Sequence, residues 1–271
     1  MNGFVCWKNF NAHFVQIGNG AIPMLAFPGF HRKCTDFDAF KSSLGKQFTI
    51  YAFDLFYHGE SEQIDANSPF DENELKTMVE LFCKTRSINR FALMGYSLGG
   101  KIALSVLNLF PKQISAMYLF APYGLKPERT VARIEHWPIA VALFHYFIKH
   151  PGPFFTAIRM LHGIGIINTR KYEFLQHQME SEQRRRLLFN TWQCYRLIKP
   201  DIALANSHFN TFEINLKLFY GSLDPVEPPE HAHFLTDNLN QKDTLTIVPV
   251  SHNLICEKTN QILAKQLAAN S

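Results

Sequence analysis

FALMGYSLGGKIALSVLNLF, residues 91–110, holds the pattern Gly-x-Ser-x-Gly between an apolar run and an amphipathic one. The run at 91–94 has the length of a buried strand, and from Ile102 to Phe110 apolar residues recur at helical spacing. A serine on the turn between them is exposed at a helix N-terminus, where free amide groups favour negative charge. The stretch therefore predicts a strand, a sharp turn carrying Ser97 and a helix, with Ser97 as a candidate nucleophile for acyl transfer.

Short apolar runs and helical patterns alternate on both sides of this stretch. The predicted strands are two within 4–18, then 24–27, 48–53, 114–120, 214–220 and 245–250. The predicted helices are one from a Thr35 cap to about 44, then 72–84, 229–239 and 254–267. This alternation is typical of parallel strands joined by right-handed crossovers, which is an α/β fold.

The alternation stops at 122 and returns after 205, and the sequence between is helical in pattern and interrupted by prolines. We therefore predict an α/β core formed by residues 1–121 and 206–271. Residues 122–205 are predicted to be a helical insertion in that core.

Polar residues follow several of the predicted strands, at the edge where open parallel sheets bind ligands. A serine hydroxyl needs a base to act as a nucleophile at neutral pH. His252 directly follows the last predicted strand and is the candidate base. Asp224, kept out of helical geometry by Pro225, is the candidate carboxylate that orients it. The chain order of serine, acid and histidine is that of a known triad arrangement.

Other residues compete for these two roles. His31 and His58 lie in early loops and are alternative bases, while Glu227 and then Asp201 are alternative acids. Asp224 itself has a second interpretation, because an aspartate at this position can form an Asx turn before a helix.

Five short elements occur in a consistent order along the chain. They are Phe27-Pro28-Gly29-Phe30, the Asp-x-x-x-His-Gly-x-Ser pattern of 54–61, the elbow at 95–100, Gly221-x-x-Asp224, and Ser251-His252. Together they resemble the α/β-hydrolase superfamily over essentially the whole chain. The resemblance implies a mostly parallel eight-stranded sheet with helices on both faces and a helical cap inserted after the sixth strand. It also implies structural roles for Asp54 and His58.

The resemblance implies an oxyanion hole as well, made by the backbone amides of Phe30 and Leu98. Many relatives have His-Gly where this chain has Pro28-Gly29, which affects the support of the loop more than its amide donors. Relatives that open epoxides or cleave carbon–halogen bonds have aspartate at the elbow, so Ser97 favours acyl transfer.

These observations predict a serine hydrolase that cleaves a carboxylic ester or thioester bearing an apolar group, through an acyl-enzyme. The alternatives are a carbon–carbon bond hydrolase or an acyltransferase using the same triad, or a non-catalytic ligand-binding member of the fold. No metal-ligand spacing and no phosphate-binding glycine loop occurs, so we expect no metal and no cofactor.

Composition limits the classes of molecule that the protein is expected to bind and the compartment in which it is expected to lie. A net charge of +4 gives no indication of nucleic acid binding. The five cysteines are scattered and odd in number, and no secretory signal or membrane-spanning run is apparent, which favours the cytoplasm. We expect a small-molecule ester or thioester partner and no membrane contact, and the oligomeric state is not indicated.

The insertion differs from the rest of the chain in charge. Residues 122–205 contain 12 Lys and Arg against 6 Asp and Glu, together with many aromatic residues that favour an apolar substrate group. Arg184-Arg185-Arg186 is either a solvated helix face or a site for an anionic substrate, such as a coenzyme A ester, or for an acidic membrane surface. The stretch 139–148 is expected to be a buried helix, with lipid contact as the alternative.

Overall fold

The structure is a computed structural model that describes residues 2–65, 68–126 and 138–269. It divides into two compact units. The first comprises residues 1–126 and 197–271, and the second comprises residues 127–196.

One sheet forms the centre of the first unit. Its strands are β1 (Asn2–Trp7), β2 (Phe10–Ile17), β3 (Ile22–Phe27), β4 (Phe48–Phe53), β5 (Glu62–Gln63), β6 (Phe91–Tyr96), β7 (Ile114–Phe120), β8 (Asn215–Gly221) and β9 (Leu245–Val248). Eight of them lie in the order β1-β2-β4-β3-β6-β7-β8-β9, and the two-residue β5 pairs with β2 beside this path. The predicted eight-stranded path is confirmed, and β5 is an addition that two residues of sequence could not signal.

The pairing is mostly parallel. β1, β2 and β4 are joined by antiparallel pairs, and every pair from β4 through β3, β6, β7 and β8 to β9 is parallel. All six residues of β6 are buried, as expected for a central parallel strand covered on both faces. The carboxyl ends of the parallel strands therefore share one edge of the sheet.

Helices of the first unit connect and cover these strands. They are α1 (Lys41–Leu44), α2 (Glu72–Thr85), α3 (Leu98–Leu109), α8 (Ile202–Thr211), α9 (His233–Thr236) and α10 (Glu257–Ala269), with 3-10 turns at Cys34–Phe40, Pro111–Gln113 and Pro229–Ala232. α2 begins at Asp71, whose side chain accepts hydrogen bonds from the amides of Asn73 and Glu74. The predicted Thr35 cap is wrong, since the first helical turn follows Lys33 without a side-chain cap.

Phenylalanine fills much of the core. The rings of Phe14, Phe53 and Phe82 pack pairwise with centroids 5.1–5.6 Å apart, clamping β2 and β4 against α2. Each fully buried ring contributes about 1.5–3 kcal/mol relative to an exposed one.

The second unit is helical where it is described. Its helices are α4 (Pro138–Lys149), α5 (Gly152–Gly163), α6 (Thr169–Gln178) and α7 (Glu182–Tyr195). Phe144 on α4 packs against Phe189 and Trp192 on α7, with ring centroids 5.4 and 5.7 Å away. None of the helices in the described ranges has the length and apolar character that a bilayer crossing requires.

Candidate active site

Ser97 lies on the turn between β6 and α3. Its backbone has φ 51° and ψ −116°, a conformation that residues other than glycine rarely adopt. Such a residue costs about 1–3 kcal/mol and is retained where the surrounding structure enforces it. The Ser97 amide donates to the carbonyl of Phe120 on β7, which ties the turn to the neighbouring strand.

Two glycines leave room for this turn. A Cβ on Gly99 would lie 1.9 Å from the carbonyl oxygen of Phe27, and one on Gly95 would lie 2.6 Å from the Cα of Gly100. Both distances are far below van der Waals contact. The glycines of the Gly-x-Ser-x-Gly pattern are therefore required by the close approach of β3, β6 and α3.

The three side chains predicted to act together are in hydrogen-bond contact. His252 Nε2 lies 3.1 Å from Ser97 Oγ, and His252 Nδ1 lies 2.7 Å from Asp224 Oδ2. The Asp224 side chain is fully buried, whereas the His252 side chain is 22% exposed. With Nδ1–H donating to Asp224, Nε2 is free to accept the serine proton.

Asp224 makes the contacts that each of its two interpretations requires. Its Oδ1 accepts from the amides of Val226 and Glu227 at 2.8 and 3.0 Å, which is the Asx turn. Its Oδ2 faces His252. The turn fixes the carboxylate so that its second oxygen is directed at the imidazole.

The competing residues have other partners. Glu227 Oε2 lies 2.9 Å from His231 Nδ1, and the Asp201 side chain caps α8 by accepting from the amide of Leu204. His58 Nε2 accepts from the backbone amide of His31 at 3.1 Å.

The loop predicted to supply the second oxyanion donor lies against the elbow. A Cβ on Gly29 would meet the Tyr96 ring at 2.9 Å and Ser97 Cβ at 3.2 Å. The amides of Leu98, at the start of α3, and Phe30 have no acceptor among the described residues. Both donors are thus available beside Ser97, one at the start of α3 and one on the loop after β3.

Comparisons with known proteins agree with this architecture. A family model described as the alpha/beta hydrolase fold matches residues 23–149. A thermophilic esterase from Thermogutta terrifontis superimposes with a TM-score of 0.65 at 14% identity, covering 96% of this chain and 94% of that one. The chain has the α/β-hydrolase fold. The predicted resemblance and fold class are confirmed.

Two curated relatives match shorter regions of this chain. The 1-acylglycerol-3-phosphate O-acyltransferase ABHD5 of Rattus norvegicus is 29% identical over 119 residues, which are 43% of this chain and 32% of that protein. Ethanol acetyltransferase 1 of Kluyveromyces marxianus is 35% identical over 79 residues, which are 29% of this chain and 21% of that protein. The matches therefore span a third or less of the relatives' own lengths.

A further set of contacts holds His252, and sequence reasoning missed it. The Tyr96 hydroxyl donates to the backbone carbonyl of His252 at 2.9 Å, and its ring lies 5.3 Å from the imidazole. Arg32 donates to Asn253 Oδ1 at 2.7 Å, joining the loop after β3 to the histidine loop. The only sequence signal was the position of Tyr96 inside Gly-x-Ser-x-Gly.

His58 supports the loop after β3 as a neutral side chain. Its Nδ1 donates to the Phe56 carbonyl at 3.1 Å, which leaves Nε2 as the acceptor for the His31 amide. Burial lowers the pKa of His58, and the Phe56 carbonyl and Asp54 only partly oppose that effect.

His13, Cys34 and Asp54 form a buried group whose spacing could hold a metal ion. Asp54 instead accepts from His13 Nδ1 at 2.8 Å, from the Cys34 amide at 2.8 Å and from the Glu60 amide at 3.0 Å. Burial, with Asp54 nearby, raises the pKa of the Cys34 thiol to about 12, which disfavours the thiolate that metals bind. The donor chemistry fits a structural network around Asp54.

The arginine run in α7 is internally paired. Arg186 and Arg184 make ion pairs with Glu182 and Glu180, and Arg185 is buried. The Arg185 guanidinium donates to the carbonyls of Ile148 and Met179. Arg184 and Arg186 therefore lie on a solvated, ion-paired face, whereas Arg185 links α7 to the carbonyls of Ile148 and Met179.

Proposed function

We propose that the protein is a serine hydrolase that cleaves a carboxylic ester or thioester through an acyl-enzyme. The observation that carries this proposal is the chain of two hydrogen bonds from Ser97 through His252 to Asp224, at 3.1 and 2.7 Å. Nucleophilic catalysis requires a nucleophile, a base and a group that orients the base. The strained Ser97, the partly exposed imidazole of His252 and the buried carboxylate of Asp224 can take these roles.

In this mechanism Ser97 Oγ attacks the acyl carbon while His252 Nε2 takes the hydroxyl proton. Asp224 stabilises the imidazolium, and the amides of Leu98 and Phe30 stabilise the oxyanion, where loss of one donor typically costs about 3 kcal/mol. His252 then protonates the departing alcohol or thiol. Water deprotonated by His252 then attacks the acyl-enzyme and forms a second tetrahedral intermediate. When this intermediate collapses, His252 returns the proton to Ser97 Oγ and the acid is released.

The expected substrate is a small ester or thioester with an apolar group. Phe30 and Leu98, the two residues whose amides flank Ser97, have partly exposed apolar side chains, which supports this choice. No cofactor enters the proposed chemistry, since every proton has a donor and an acceptor among these residues. All five cysteines are free thiols, which supports a reducing compartment such as the cytoplasm.

Acyl transfer to an alcohol is the second candidate. It is favoured by the activities for which the two curated relatives are named, an O-acyltransferase and an ethanol acetyltransferase. The first half of the reaction is unchanged, and an alcohol replaces water as the acceptor deprotonated by His252.

Labelling with a fluorophosphonate probe tests the shared first step. The native chain and Ser222→Ala, which removes an exposed hydroxyl two residues before Asp224, should both be labelled. Ser97→Ala should not be labelled, and equal labelling of Ser97→Ala and Ser222→Ala would refute the proposal.

A series of esters of rising acyl length, assayed with and without added alcohols, separates the two candidates. Free acid as the main product supports the hydrolase, and a new ester supports the acyltransferase. Tight binding of a small molecule without turnover, in a chain that resists the probe, would instead indicate a ligand-binding protein.

A further inference from the structure

The second unit concentrates exposed apolar side chains between residues 139 and 166. Six large ones are at least half exposed: Ile139, Leu143, Tyr146, Met160, Ile164 and Ile166. Elsewhere in the described chain only Phe4, Ile64 and Leu223 reach that level. Concentrated apolar exposure of this kind marks an interaction surface, whereas single exposed residues do not.

The spacing shows that these side chains form stripes, which are rows along one face of a helix. Ile139, Leu143 and Tyr146 are at i, i+4 and i+7 on α4, so they share one face. Met160 and Ile164 are four apart at the end of α5. Each helix also has a buried residue, Ile148 on α4 and Ile158 on α5.

The charged side chains within the segment that carries the stripes have one sign. Residues 138–172 contain no Asp or Glu. Lys149, Arg159 and Lys171 are exposed, and none of them makes an ion pair with a carboxylate of a described residue. Arg184 and Arg186 of the same unit are ion-paired, whereas Lys149 acts on Glu182 only beyond ion-pair distance.

We propose that residues 138–172, which comprise α4, α5 and the start of α6, dock on the surface of an anionic phospholipid bilayer. Aliphatic stripes with cations beside them match an interface whose acyl region is apolar and whose headgroups carry phosphate. Tyr146 has the amphipathic ring that is enriched at this depth. Contact with lipid was only the alternative for 139–148, because the sequence does not show which helix face remains exposed.

Sedimentation of the full chain with vesicles tests this inference independently of any catalytic activity. The native chain should bind vesicles of equal parts phosphatidylcholine and phosphatidylglycerol at least about tenfold more tightly than phosphatidylcholine alone, and added salt should weaken that binding. M160D/I164D should lose about tenfold or more of the binding to both vesicle types. K149E/R159E should lose mainly the preference for the anionic vesicles.

I64D is the matched control, because it places the same charge at a similarly exposed apolar residue of the first unit. It should bind as the native chain does, and thermal unfolding should show all variants folded. Absence of binding to either vesicle, or equal binding by M160D/I164D and I64D, would overturn the inference. So would a variant that keeps vesicle binding but loses turnover of a water-soluble ester or changes oligomeric state, since the stripes would then face substrate or a second copy.

Discussion

Tyr96 occupies the position before Ser97, and its hydroxyl donates to the backbone carbonyl of His252. Tyr96→Phe removes this bond and the interaction of the hydroxyl with Arg32, and it keeps the ring beside the imidazole. A lost hydrogen bond of this kind costs about 0.5–1.5 kcal/mol, so we expect the fluorophosphonate labelling rate at Ser97 to fall roughly threefold to tenfold.

Tyr220 offers the matched control for that experiment. Its hydroxyl is buried with no partner among the described residues, so Tyr220→Phe should leave the labelling rate unchanged and stability equal or higher. If Tyr96→Phe reacts at the native rate while Ser97→Ala is inert, Tyr96 does not position His252.

The lowered pKa of His58 predicts that the free energy of unfolding decreases at acid pH. Burial lowers the pKa of His58 in the folded chain, so the unfolded chain binds a proton near pH 6.5 and the folded chain binds it only at lower pH. The contribution of His58 is therefore complete above its unfolded pKa and is lost as the pH falls below it. Urea unfolding at about pH 7 and about pH 5.5 measures the decrease in the free energy of unfolding between the two pH values. This decrease should be smaller for His58→Gln than for the native chain, because the glutamine amide oxygen can accept from the His31 amide without titrating. Equal decreases would contradict this assignment.

At the scale of elements, the elbow joins β6 to α3 through glycines that accept no side chain. Gly99→Ala would press a methyl group onto the carbonyl of Phe27 in β3, and neither backbone can yield easily. We expect a loss of about 1–3 kcal/mol or more in the free energy of unfolding, together with slower probe labelling.

Gly152→Ala provides the comparison, because nothing lies within 4 Å of a Cβ at that helical position. It should change stability little or raise it by about 0.4–1 kcal/mol. Urea midpoints of the two variants measure the contrast, and similar midpoints would show that the elbow has room for a side chain.

Elements with strong periodicity were predictable, and those set by distant partners were not. β6 and α3 follow from the 91–110 pattern. The predicted helix from Thr35 forms a 3-10 turn first, in which buried Phe37 and Phe40 lie three apart on one side. The predicted helix 229–239 is a 3-10 turn at Pro229–Ala232 followed by the short α9, and the carbonyl of Phe234 there accepts from the side chain of Asn206 on α8.

For the whole molecule, the candidate site was predictable because parallel topology gathers strand ends at one edge. Ser97, Asp224 and His252 could be selected from their positions after predicted strands, without any distance. The bonds that join Tyr96 to His252 and Arg32 to Asn253 span 156 and 221 residues. No local sequence pattern encodes such contacts, so they could be found only in the structure.

The five free cysteines report on the integrity of the whole fold. Cys6 is exposed, Cys256 is partly exposed, and Cys34, Cys83 and Cys194 are buried. Burial raises the pKa of Cys34 to about 12 and that of Cys83 to about 11, so little reactive thiolate forms at neutral pH. We expect a disulfide reagent such as Ellman's to titrate Cys6 quickly, Cys256 slowly and the other three only in denaturant. Cys6→Ser should remove the fast phase alone, and rapid reaction of all five thiols in the native chain would contradict the packing described for the first unit and for α7.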